Sequence, residues 1–133
     1  MTGTASPLEV VQQAYAAFGR GDVAAILALV ADEVDWRFCG AKGLPYTGVF
    51  TTRAEVDRWF AAVAAVDDVQ AFEPKEFIAA GDHVTVLGWE RSAARPRGSV
   101  FETEWAHVFT VRHGRITRFW GLYDTQASAA ARV

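Results

Sequence analysis

The sequence has a single cysteine, Cys39, in 133 residues. That excludes a disulfide framework within the chain and leaves little for a metal cluster to draw on. Charge of one sign is also missing: 13 Lys and Arg stand against 16 Asp and Glu, for a net −3. Electrostatic binding of nucleic acid needs a basic stripe, so no nucleic-acid partner is expected. No apolar run approaches the roughly 20 residues of a membrane span, so no membrane partner is expected. The opening MTGTASP has neither a basic region nor an apolar run. No signal peptide is therefore expected, and the expected location is cytoplasmic. His83, His107 and His113 lack the i, i+4 spacing of a helical metal site, and neither a Gly-rich phosphate loop nor a nucleophile elbow occurs. No cofactor is expected. What the chain does have is apolar and aromatic surface: 51% hydrophobic residues and 13% aromatic, with five Trp and nine Phe. Disorder is excluded on that composition. The length suits one domain over 1–133.

The first half reads as helices. Ser6-Pro7-Leu8-Glu9 combines a cap, a proline suited to the first turn and a capping-box glutamate. Leu8, Val11, Tyr15 and Phe18 then share one helical face, and Gly19 and Gly21 stop the helix. Asp22 can cap a second helix with Val23, Ile26, Leu27 and Val30 inside. Residues 34–38 suggest a short strand, and 39–48 a loop. Thr52 and Glu55 form a second capping box, opening a helix with Val56, Trp59, Phe60 and Val63 on one side. The second half reads as strands over 69–80, 83–91, 99–111 and 116–124. Pro74 belongs at an edge or bulge of the first of these, and residues 92–98 and 112–115 make turns. Residues 1–6 and 126–133 are expected to be loosely ordered, the Ala-rich tail either a short helix or frayed. Helices followed by hairpin strands indicate an α+β fold.

The segments VVQQAYAAFGRGD (10–22), ILALVADEVDW (26–36), GLPYTGVFTTRAEVDRWF (43–60) and EWAHVFTVRHGRITRFWGLYD (104–124), in that order, resemble the NTF2-like superfamily. That superfamily includes nuclear transport factor 2, ketosteroid isomerase and the SnoaL-like polyketide cyclases. The resemblance is closest to the SnoaL-like, ketosteroid-isomerase-related branch. It implies a cone: a curved antiparallel, mixed sheet wrapped around a pocket, covered by three N-terminal helices and paired into a homodimer through the sheet. The fold hosts enzymes and non-enzymatic modules alike, so function has to come from the site.

Matched to ketosteroid isomerase, the chain has Ala14 at the tyrosine position, Phe38 at the base position and His107 at the acid position. Tyr15 is one residue late, about 100° around the helix. Ketosteroid isomerase activity itself is therefore not expected. His107 lies mid-strand among Phe101, Trp105, Phe109 and Val111, so it is either an acid/base or ligand donor in the pocket, or a core histidine satisfied by a neighbour. Asp124 ends the last strand. It is either the acid/base aspartate that the resemblance to the polyketide cyclases implies, or the cap of a tail helix. The hairpin decides which residue accompanies His107. A two-residue His113-Gly114 turn sets His107 opposite Trp120 with Asp124 on its face. A three-residue turn sets it opposite Phe119 with Tyr123 on its face.

The catalytic candidates are thus His107 and Asp124. The candidate ligand-binding residues are Tyr15, Trp36, Phe38, Trp59, Trp89, Trp105, Phe119 and Tyr123, each also readable as core. Tyr46, in the 39–48 loop, belongs either to a cover over the pocket mouth or, the preferred reading, to an ordinary surface loop. Three functions compete: cofactor-independent isomerisation, cyclisation or dehydration next to a carbonyl of a small apolar molecule; binding of such a molecule without chemistry; and a dimeric interaction module.

Overall fold

A computed structural model describes residues 5–133. Local signals set the helices. Ser6 Oγ accepts from the Glu9 backbone N–H and the Glu9 carboxylate accepts from the Ser6 N–H, so α1 (Pro7–Gly19) starts on a complete capping box. Such a cap contributes about 1 kcal/mol. Asp22 caps α2 (Val23–Leu27), and Thr52 caps α3 (Arg53–Val66). Six strands follow the order β2-β1-β6-β5-β4-β3. They are β1 (Val30–Cys39), β2 (Gly48–Thr52), β3 (Asp67–Ala80), β4 (His83–Ala94), β5 (Ser99–Arg112) and β6 (Arg115–Tyr123). β1 runs parallel to β6 and every other pair is antiparallel. The result is a mixed, unclosed sheet, α+β in class as expected. Bulges in β3 on either side of Pro74 bend the edge strand, which is where a proline without an N–H can be carried.

Three differences from the expected elements matter. β1 and β4 are longer than expected, and β4 takes in Ser92, Ala93 and Ala94, all buried. β2 was not expected at all; it is a five-residue edge strand. The tail is not frayed either: Thr125–Ala130 form α4, capped by Asp124. Arg132 pins the chain beyond α4 to the α3–β3 junction through the Val66 carbonyl and Asp67. Of the other end expected to be loose, residues 1–4 lie outside the described residues, and Ser6 is fixed by its capping box. Among the described residues no helix is long and apolar enough to cross a membrane.

The core lies between the concave face of the sheet and the helices. Val10, Val11, Ala14 and Ala17 of α1 and Val56, Trp59 and Phe60 of α3 face Val84, Val86, Phe109, Val111, Ile116 and Phe119 of the strands. Period-two alternation sends Val84, Val86, Gly88 and Glu90 inward on β4. The core is not filled throughout, and the space left between helices and sheet is the candidate site.

Candidate functional site

The β5–β6 hairpin sets the wall of this space. Its turn has two residues: His113 and Gly114 both take positive φ, and Arg112 pairs with Arg115. This is the type I′ geometry that suits a hairpin. Val111 still faces Ile116, but Thr110 faces Arg118, so Thr117 is an extra residue on β6. That bulge moves every later pair by one, and a one-residue slip exchanges the two faces of a strand. His107 therefore lies opposite Gly121, not Trp120 or Phe119, and Tyr123 shares its inner face opposite Trp105.

The cavity has a volume of about 100 Å³. Its wall includes Trp36 and Phe38 from β1, Trp59 from α3, and Phe119 and Tyr123 from β6. Tyr15, on the inner side of α1, and His107, on β5, meet across it. Tyr15 Oη lies 2.7 Å from His107 Nδ1. Trp105 stacks on the His107 ring with centroids 3.9 Å apart, a wall behind the histidine and outside the cavity surface. Burial in this aromatic setting pushes the His107 pKa down to about 3 and pushes Tyr15 well above the usual phenol range. Both are neutral at pH 7. If Nδ1 accepts the Tyr15 proton, Nε2–H is the free donor. If Nδ1–H donates to Oη, the Tyr15 O–H is the free donor and Nε2 the free acceptor. In either tautomer the pair has one donor to offer a ligand.

Besides Trp105, two expected site residues lie off the cavity wall. Asp124 is exposed; its Oδ1 accepts from the Ala127 N–H as the α4 cap, so the aspartate does not line the cavity. Trp89 is on the outer face of β4, beside the Lys75 ammonium at 5.9 Å, because the inward positions on that strand belong to Gly88 and Glu90. Tyr46 is also misplaced by the sequence reading, being 2% exposed and part of the wall.

Two polar residues of the wall, Asp67 and Glu90, had no place among the expected site residues. Asp67 opens β3 and pairs with Arg132. The Tyr46 hydroxyl bonds to Tyr123 and Ser128, and Arg132 Nη2 donates to it at 3.0 Å. Burial raises the Asp67 pKa, with the Arg132 guanidinium pulling the other way. Glu90 Oε2 accepts from Ser92 Oγ at 2.8 Å. Burial, helped by the charge of Asp67, pushes its carboxyl up to about 7 against the pull of the Ser92 hydrogen bond. Strict alternation from Val84 and Val86 would have placed Glu90 inside; the adjacent Trp89 masked that signal.

A family model for the SnoaL-like domain matches residues 11–119. The chain belongs to the SnoaL-like domain family. An NTF2-like protein from Burkholderia thailandensis E264 is 31% identical, with a TM-score of 0.88 over 97% of this chain and 98% of that one. A second, from Burkholderia xenovorans LB400, is 28% identical, with a TM-score of 0.85 over 97% and 98%. TerC, co-crystallised with polyporic acid, is 27% identical, with a TM-score of 0.82 over 94% and 96%. No curated protein matches the sequence of this SnoaL-like domain.

Proposed function

We propose that this SnoaL-like domain binds a small, mostly apolar carbonyl compound in the cavity, where the Tyr15 O–H donates to the carbonyl oxygen while His107 Nε2 takes a proton from the neighbouring carbon and returns it. Such chemistry covers isomerisation, cyclisation and dehydration without a cofactor. The observation that carries the proposal is the Tyr15–His107 hydrogen bond of 2.7 Å inside an apolar wall. A neutral donor in dry surroundings stabilises charge developing on a carbonyl oxygen far more than it would in water. The cavity volume of about 100 Å³ limits the ligand to no more than about one ring, since an engineered apolar cavity of roughly 150 Å³ holds benzene. TerC, crystallised with polyporic acid, supports a small-molecule role for the cavity.

Acetophenone in deuterated water tests this. Wild type is expected to exchange its methyl protons above the buffer rate. His107→Asn should abolish the exchange while leaving the affinity within roughly a few fold. Exchange unchanged in His107→Asn overturns the catalytic role of the pair. Binding without exchange in the wild type makes the domain a carrier.

The outer face of the sheet supports a homodimer as part of the same proposal. Leu87, Ala106 and Leu122 form one row across β4, β5 and β6, and Thr85, Val108 and Trp120 the next. Leu87 is 38% and Leu122 44% exposed. A second copy would cover that patch. Sedimentation is expected to give a dimer for the wild type at micromolar concentration and a monomer for Leu122→Lys. A monomeric wild type rejects the assembly.

A further inference from the structure

The Tyr15–His107 pair accounts for one end of the cavity, and Glu90 stands at the other. It is 9% exposed, lines the cavity, and faces inward on β4. Ser92 Oγ bonds to Oε2; among the described residues Oε1 has no hydrogen-bond partner. No cation pairs with Glu90 among the described residues, because Arg132, the cation at this end, is bonded to Asp67. Glu90 is thus a buried carboxyl with spare acceptor capacity turned to a cavity.

The register gives the spacing. His107 lies opposite Val86, and Glu90 lies opposite Thr103. Four residues separate the two rows, about 13 Å along the strands. A ligand that reaches from one row to the other has to be elongated, as a six-membered ring with substituents at opposite positions is.

We propose that Glu90 is a specificity-determining residue that accepts a hydrogen bond from a ligand hydroxyl, so that the cavity takes a two-ended molecule: a carbonyl at one end of an apolar ring and a hydroxyl at the other. This rests on the reading that the Tyr15–His107 pair holds the carbonyl. The carboxyl pushed up to about 7 by burial is consistent with it, since a ligand hydroxyl would supply the ionised form with the partner it lacks.

The test is calorimetry at pH 8 with acetophenone, 4-(hydroxymethyl)acetophenone and 4-ethylacetophenone, the last two alike in shape and neither ionising. Wild type is expected to bind the hydroxymethyl compound about tenfold more tightly than the ethyl compound, the lower end of what a hydrogen bond to a charged group contributes. Glu90→Leu should prefer the ethyl compound. Glu90→Gln should keep a hydroxyl preference at least threefold smaller than that of the wild type. Equal affinity of the wild type for both compounds overturns the proposal, as does an unchanged preference in Glu90→Leu. If Glu90→Leu does not fold, Glu90→Gln decides: a reduced preference supports the proposal and an unchanged one overturns it. Acetophenone that binds without hydroxyl discrimination removes only the role of Glu90. Failure of all three compounds to bind removes the cavity reading and this inference with it.

Discussion

Tyr15 Oη and His107 Nδ1, 2.7 Å apart, join the first helix to the middle of β5 across 92 positions of sequence. Neither residue has another side-chain hydrogen bond among the described residues. Tyr15→Phe therefore leaves a buried imidazole nitrogen without its partner. A loss of roughly 1–3 kcal/mol is expected, read from denaturant midpoints at unchanged m. Removing both polar groups, in Tyr15→Phe with His107→Leu, should recover part of it. An unaltered midpoint in Tyr15→Phe would show that the bond contributes nothing to stability.

Two of the inner-face titrating groups, His107 and Glu90, oppose each other with pH, and Asp67, raised by burial, acts in the same direction as Glu90. His107 is held down to about 3 in the fold, so between about 6.5 and 3 the unfolded chain takes up a proton that the folded chain refuses; stability falls as pH falls. Glu90 is pushed up to about 7, so between about 4.5 and 7 the folded chain holds a proton that the unfolded chain has lost; stability falls as pH rises. From about 4.5 to 6.5 the two slopes cancel. Glu90→Gln is expected to unmask a rise of stability with pH in that window, and His107→Gln a fall. Each slope is bounded by about 1.4 kcal/mol per pH unit for one proton. Urea titrations at half-unit intervals measure both. Parallel pH profiles for the two variants would contradict the shifts.

Local chemistry was legible in the sequence and long-range register was not. The capping box at Ser6 and the caps at Asp22 and Thr52 need only residues three apart, and each formed where expected; the second half of the box expected at Thr52 did not, since the Glu55 carboxylate accepts from the Thr51 N–H and Oγ1 instead. The side chains that meet in the cavity depend on the Thr117 bulge. No residue type at 116–118 announces a bulge, yet it decides that Tyr123 and not Asp124 shares a face with His107. Glu90 was hidden for a related reason. Reading Trp89 as the inward residue assumes that the more apolar neighbour is buried, whereas the strand had already committed Val84 and Val86 to the inside. β2 carries no alternation of its own, since exposed and half-buried residues make up all of it.

Gly121 lies opposite His107 because nothing larger fits there. A Cβ at this position would come within 2.5 Å and 2.6 Å of the Phe38 ring and 3.1 Å of Phe119. Gly121→Ala is expected to cost about 1–3 kcal/mol, the range for overpacking a core. Phe38→Leu in the same chain should recover part of that loss, because one of the two clashing carbons, Cε1, is absent from leucine. Additive effects of the two substitutions on the denaturant midpoint would show that the residues do not press on each other.

Arg132 tests whether the tail belongs to the fold. Its guanidinium bonds to the Val66 carbonyl at 3.0 Å, Ser128 Oγ at 3.1 Å, Tyr46 Oη and Asp67, and the Asp67 side chain is only 5% exposed. Arg132→Met keeps much of the apolar stem and removes the charge, leaving a buried carboxylate without its cation. Losses of about 3–5 kcal/mol are expected from breaking such a pair on one side only. The deficit should shrink as pH is lowered, because an unpaired buried carboxyl is readily protonated and then needs no cation. Asp67→Asn in the Arg132→Met background should recover a large part of it at pH 7 for the same reason. Thermal unfolding of the three chains between pH 5 and 8 measures all of this. A frayed tail would instead make Arg132→Met indistinguishable from wild type at every pH.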